Sequence, residues 1–146
     1  MAATGVAEPH EDAAPAVLLL IEDEAPNRAL LRAILGRVSD PRLKGAKLIE
    51  APDLATAREV LGREPVTVVL LDVRLPDGNG LSLARELRDR PVAERPRVLI
   101  LSASVLPTER ESALSAGADG FLGKPYHPPD LVQWLLQLIE AGPPAA

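Results

Sequence analysis

Val-Thr-Val-Val-Leu-Leu-Asp, residues 66–72, is the stretch whose reading decides the fold. Up to Leu71 it is apolar at both parities except for Thr67, so both faces of a strand built from it must be covered. A half-exposed antiparallel strand would alternate instead. Reading outward, four more short apolar runs appear: Val17–Ile21, Ala46–Ile49, Val98–Leu101 and Phe121–Leu122. Between them the apolar residues recur at helical spacing. Leu30, Leu31, Ile34, Leu35 and Val38 mark a first helix, with Pro26 in its opening turn, where a missing N–H costs nothing. Leu54, Ala57, Val60 and Leu61 mark a second, with Asp53 as its N-cap and Gly62 as its stop. Leu81, Ala84 and Leu87 give a third. Pro107 opens a fourth that ends at Ala116-Gly117, and Leu131, Val132, Leu135, Leu138 and Ile139 define a fifth. Strand–helix alternation repeated five times predicts right-handed βαβ units, a parallel sheet and helices on both of its faces.

Composition narrows the chemistry. The 146 residues carry a net charge of −5, no Cys, 15 Pro and 10 Gly, with 47% apolar content. The absence of Cys removes disulfide scaffolds, thiolate metal sites and cysteine nucleophiles. A modest acidic balance argues against direct nucleic-acid binding, which needs a concentrated basic face. No apolar run approaches the ~20 residues of a membrane span. Glu8, Glu11 and Asp12 stand where a signal peptide would carry positive charge, so the expected location is cytoplasmic. Residues 1–15 read as a disordered tail, 16–141 as one domain, and 142–146 as a tail or the start of a linker. The prolines fall in the tails, at helix starts and in connections; Pro41, Pro52, Pro65, Pro91 and Pro96 belong to the last group.

In an open parallel sheet, ligands bind outside the carboxyl ends of the strands. The first run ends in Glu22-Asp23, the third in Asp72 and the fourth in Ser102, while Lys124 follows the fifth. Taken singly, Asp23 reads as a helix cap, Asp72 as a turn residue, Ser102 as a backbone-bonded hydroxyl and Lys124 as a surface charge. Together they put three carboxylates, a hydroxyl and an ammonium on one edge. Carboxylates 4–5 Å apart repel by roughly 3–4 kcal/mol per pair at an effective dielectric near 20, so either one stays protonated or a cation sits among them. Hard oxygen ligands without His or Cys suit Mg²⁺. Metal, Lys and hydroxyl form a phosphoryl-binding set, in which a carboxylate can act as acceptor.

The sequence resembles the receiver domains of two-component response regulators over Val17 to Ile139. The matching pieces are Leu-Leu-Leu-Ile-Glu-Asp-Glu (18–24), Leu-Leu-Asp-Val-Arg-Leu-Pro-Asp-Gly-Asn-Gly (70–80), Val-Leu-Ile-Leu-Ser-Ala (98–103) and Ala-Gly-Ala-Asp-Gly-Phe-Leu-Gly-Lys-Pro (116–125). An acidic pair alone is weak; the ordered set, with Asp-x-x-x-Pro-x-x-x-Gly running from Asp72, is specific. The resemblance implies a flavodoxin-like (βα)5 three-layer sandwich with strand order 2-1-3-4-5. It implies Asp72 as phospho-acceptor, taking its phosphoryl group from a phosphohistidine of a histidine kinase or phosphotransfer protein. By the same resemblance Asp23 ligates Mg²⁺ directly and Glu22 through water, with Asp72 and the backbone carbonyl of Arg74. Lys124 pairs with phosphoryl oxygens, Ser102 swings toward them, and Phe121 moves inward behind it as the aromatic switch. Arg74 and Ser104 occupy the two lifetime-tuning positions, and Lys124-Pro125 the bond that is cis in the family. Glu22 replaces the more frequent Asp, and Phe121 lacks the hydroxyl of the Tyr alternative.

With the five units filling the chain to about Glu140, output is expected through protein contacts on the face of the fourth helix, fifth strand and fifth helix. The chain then reads as a stand-alone receiver or as one cut from a longer regulator or hybrid kinase. It is expected not to be an enzyme beyond its own phosphorylation and dephosphorylation. Trp134 reads either as packing at the margin of the fifth helix's stripe or as part of a partner surface. Two other functions stand beside this one: a receiver-like interaction module that works unphosphorylated, and a phosphatase using Asp72 as nucleophile. The latter would want a second Asp two residues on, where this chain has Arg74.

Overall fold

The computed structural model describes residues 15–104 and 106–142. Of the tails expected at residues 1–15 and 142–146, residues 1–14 and 143–146 lie outside the described residues. In chain order the elements are β1 (Val17–Ile21), α1 (Ala25–Gly36), α2 (Pro41–Lys44), β2 (Lys47–Ala51), α3 (Leu54–Arg63) and β3 (Val68–Asp72). There follow β4 (Arg74–Leu75), β5 (Gly78–Asn79), α4 (Gly80–Arg88), β6 (Arg97–Ser102), α5 (Pro107–Ser115), β7 (Gly120–Gly123) and α6 (Pro128–Ala141). A single 3₁₀ turn, Val92–Glu94, lies between α4 and β6.

The main sheet runs β2-β1-β3-β6-β7, all parallel. Counting only its five strands, this is the order 2-1-3-4-5. β3 sits at its centre, flanked by β1 and β6, and strand parity sorts the side chains of these three between two cores. Leu19, Ile21, Val69, Leu71, Val98 and Ile100 face α3, α4 and α5, together with Phe121. Leu18, Leu20, Val68, Leu70, Leu99 and Leu101 face α1, α2 and α6. Every residue from Val68 to Leu71 is fully buried, as the continuous apolar run requires. The strand order reverses between β1 and β3, which places the crevice beyond Ile21 and Asp72.

The structure departs from the sequence expectations in several local ways. Pro41 does not lie in a plain connection: Asp40 accepts a hydrogen bond from Arg42 N and caps the short helix α2, with Pro41 in its first turn and Leu43 buried. Gly62 does not stop α3, which runs on to Arg63 and ends before Pro65; Pro is the harder stop, since it removes the N–H the next turn would use. Strand β2 lies slightly later than Ala46–Ile49, because its pairing with β1 extends to Ala51. β3 begins at Val68 rather than Val66. Gly142 belongs with the fold: at φ 66° it closes α6, and its carbonyl accepts Arg97 Nε at 2.8 Å.

Candidate functional site

The carboxyl ends of β1, β3, β6 and β7 converge on a cleft of about 530 Å³ lined by Asp23, Glu24, Asn27, Asp72, Val73, Arg74, Ser102, Ala103, Ser104 and Lys124. Glu22, beside Asp23 in the chain, is joined to the cleft through Lys124. Glu22 continues the sheet by one residue, its N–H donating to Ala51 O at 3.0 Å, and it is 2% exposed. Asp23 follows on the exposed lip. One carboxylate oxygen from each of Glu22, Asp23 and Asp72 lies within 4.8 Å of the others. All three are hard oxygen donors with no nitrogen or sulfur among them, a set suited to an octahedral divalent cation such as Mg²⁺.

Lys124 reaches into this cluster from the end of β7. Its Nζ donates to Glu22 Oε1 at 2.6 Å and to Asp72 Oδ2 at 3.1 Å. Burial alone would lower the Lys124 pKa; the hydrogen bonds to Glu22 and Asp72 outweigh it and raise the pKa above the ordinary value. The ammonium is therefore charged through the physiological range. Around the cleft, Lys124 and the rim residue Arg74 stand against Glu22, Asp23, Glu24 and Asp72.

The remaining expected positions fall around the same cleft. Arg74 N donates to Asp72 Oδ1 at 3.3 Å, while its side chain is exposed at the rim. Ser102 is 4% exposed, and its Oγ accepts Ser104 N at 3.1 Å. Phe121 stands inward, 7% exposed, with the Arg110 guanidinium 5.8 Å from its ring centroid. The Lys124-Pro125 bond is cis. Gly80 closes the segment after Asp72: its N–H donates to Val73 O at 2.6 Å, across the β4–β5 hairpin. Trp134 is half-buried with its ring laid over Gly120, so packing at the stripe's margin describes it.

Residues 18–136 match the family model of the response regulator receiver domain. The chain belongs to the response regulator receiver domain family. This receiver is 32% identical over 122 residues to the transcriptional regulatory protein GltR of Pseudomonas aeruginosa strain PAO1, covering 84% of this chain and 48% of that protein. It is 33% identical over 133 residues to the protein PetR of Rhodobacter capsulatus, covering 91% of this chain and 52% of PetR. The chain thus spans about half the length of these curated relatives. Among solved structures, the receiver domain of the sensor histidine kinase PA1611 from P. aeruginosa PAO1 superposes with a TM-score of 0.73 at 30% identity, covering 87% of this chain and 99% of that one. That receiver holds a magnesium ion in its active-site cleft. A CheY-like receiver from Methanospirillum hungatei JF-1, at 20% identity and TM-score 0.74, shares the fold.

Two residues around the site were not singled out from the sequence. Arg28, on α1, donates from Nη1 to Glu22 O at 2.8 Å; the sequence shows only an Arg one turn into the helix after an acidic pair, which does not name its partner. Asp77, in the hairpin after Asp72, accepts Leu54 N and Ala55 N at 2.9 and 3.0 Å and so caps α3 from a distance. Asp53 caps the same helix locally through Thr56 N, which made a second capping residue hard to anticipate. Among the described residues no helix is long and apolar enough to cross a membrane.

Proposed function

We propose that this receiver accepts a phosphoryl group from a phosphohistidine of a histidine kinase or phosphotransfer protein onto Asp72, and signals in that state through protein contacts. The observation that carries the reading is the joint placement of Lys124 against Asp72 and Glu22 and of three carboxylates within 4.8 Å at one sheet edge. An Asp72 carboxylate oxygen attacks phosphorus, forming a P–O bond. The P–N bond to the donor imidazole breaks, and its electron pair stays on the ring nitrogen. Hydrolysis reverses the gain: water attacks phosphorus and Asp72 leaves as carboxylate. The protein acts on no other substrate.

Asp23 and Asp72 would hold Mg²⁺ directly, Glu22 through water, with the Arg74 carbonyl completing the protein's share. Bound Mg²⁺ would neutralise charge on the phosphoryl oxygens. Lys124 supplies a fixed positive charge beside the Asp72 oxygen where those oxygens arrive. Ser102 uses one lone pair on Ser104 N–H and keeps its hydroxyl proton to donate to a phosphoryl oxygen. Movement of Ser102 opens space that Phe121 backs, one strand over, and the change reaches the face of α5, β7 and α6. Arg74 and Ser104, at the cleft rim, set how readily water reaches phosphorus. The partner on that face is a protein, without direct nucleic-acid or membrane contact, and the setting is cytoplasmic.

The test is incubation with acetyl phosphate and Mg²⁺, followed by intact mass spectrometry. One acid-stable, base-labile phosphate, lost with chelator and in Asp72→Asn, supports the reading. An unmodified protein would point to a module that works unphosphorylated, and steady turnover of a phosphoester to a phosphatase.

A further inference from the structure

Asp23 stands exposed on the cleft's lip, and among the described residues its carboxylate accepts no hydrogen bond from protein; its placement must come from the backbone that carries it. That backbone is tied down through the peptide joining Glu22 to Asp23. The Glu22 carbonyl accepts Arg28 Nη1 at 2.8 Å. The same guanidinium is held from behind, with Nε 3.3 Å from Glu50 Oε1 on β2, and Arg32 braces the same carboxylate. Arg28 therefore spans from α1 to the β1 end and to the neighbouring strand at once, with its side chain 21% exposed. Glu22 itself is held at every polar atom: its N–H donates to Ala51 O, while Oε1 accepts from Lys124 Nζ, Oε2 from Glu24 N and the carbonyl O from Arg28 Nη1.

We infer that Arg28 is a positioning residue that sets the Glu22–Asp23 peptide so that the Asp23 carboxylate faces the cation site. The inference rests on the Mg²⁺-dependent reading above. A guanidinium near a cation site could act in two ways, and they differ in sign. As a bare positive charge it repels the metal, and its removal tightens binding. As a fork fixing the peptide plane it organises a ligand, and its removal weakens binding. The geometry favours the second: the two-ended span from the Glu22 carbonyl to Glu50 needs a guanidinium fork that an ammonium lacks, and Glu50, shared with Arg32, offsets part of the Arg28 charge.

The experiment is calorimetric titration with Mg²⁺ alone of the wild-type chain, Arg28→Ala and Arg28→Lys, with thermal melts of each. Outer-shell partners of metal ligands commonly change affinity by 10–100-fold, so a loss of about tenfold is expected for Arg28→Ala. Arg28→Lys keeps the charge and is expected to bind weakly as well. Phosphorylation of both variants by acetyl phosphate should recover at saturating Mg²⁺, a separation that a general folding defect would not produce. Tighter Mg²⁺ binding in Arg28→Ala with wild-type affinity in Arg28→Lys would overturn the positioning role, as would unchanged affinity in both. Either result leaves the Asp72 reading intact. A wild-type chain that binds no Mg²⁺ would overturn the functional reading itself. Should Arg28→Ala fail to fold, Arg28→Lys decides between the two roles.

Discussion

A Cβ added to Gly80 would stand 2.2 Å from the carbonyl oxygen of Asp72. The backbone at the end of β3 and the start of α4 thus touch where no side chain fits, and Gly80 N–H bonds Val73 O beside that contact. The Gly that ends the Asp-x-x-x-Pro-x-x-x-Gly stretch is required by this approach, since its φ is not in the left-handed region. Gly80→Ala must push the Asp72–Val73 backbone or lift α4. Overpacking of this kind costs about 1–3 kcal/mol, and more where backbone must move. A lowered urea midpoint together with slowed acetyl phosphate labelling is the expected outcome. Native stability and labelling in Gly80→Ala would show that the contact is not tight in solution.

Asp77 gives a pH signature. The Leu54 N–H hydrogen bond, aided by that from Ala55 N–H and opposed by burial, lowers its pKa below the ordinary 3.8. A depressed folded pKa means the contribution is complete above 3.8 and is lost as pH falls through the folded value. The difference in urea midpoint between wild type and Asp77→Ala should therefore hold steady at neutral pH and close below 3.8. A gap that persists deep into acid would contradict the capping role.

Much of this organisation was legible in the sequence, for identifiable reasons. β1 matched Val17–Ile21 to the residue, and β3 was recognisable because burial on both faces leaves an unbroken apolar run. The grouping of Asp23, Asp72, Ser102 and Lys124 was legible because a parallel sheet brings strand ends to one edge, whereas Asn27 and Val73 enter the cleft from positions that carry no such signal. What escaped had no periodic signature. The two-residue strands β4 and β5 are too short to alternate. The short helix α2 does carry a signal, Asp40-Pro41 as N-cap and first turn, but one buried apolar residue, Leu43, leaves no periodicity to separate it from a connection. Arg28 and Asp77 act on partners 6 and 23 residues away, and only the assembled fold brings those partners within reach.

Arg74 lines the cleft with an exposed side chain while its own N–H holds Asp72 Oδ1. Truncation spares the backbone bond and removes only the guanidinium. Arg74→Ala is expected to change the rate of autodephosphorylation several-fold, followed as decay of the phosphorylated mass after removal of acetyl phosphate. An unchanged decay rate would reject a gating role for the side chain.

Phe121 is the only Phe in the chain, so its ring resonances report on one site. Arg110, exposed on α5, covers the ring at 5.8 Å, a contact worth ~0.5–1 kcal/mol at an exposed site. Arg110→Ala should free the ring to sample more than one rotamer, seen as line broadening or averaging in aromatic carbon spectra. Phosphorylation of the wild type should alter the same signals. A ring insensitive to both changes would separate Phe121 from the switch.

The most direct test of the account is chemical mapping of the phosphoryl group. An acyl phosphate on an aspartate is reduced by borohydride to homoserine, which peptide mass spectrometry locates. After acetyl phosphate and Mg²⁺, homoserine is predicted at position 72 and nowhere else. Conversion at Asp23, a phosphate retained on Ser102, or no conversion at all would contradict Asp72 as the acceptor.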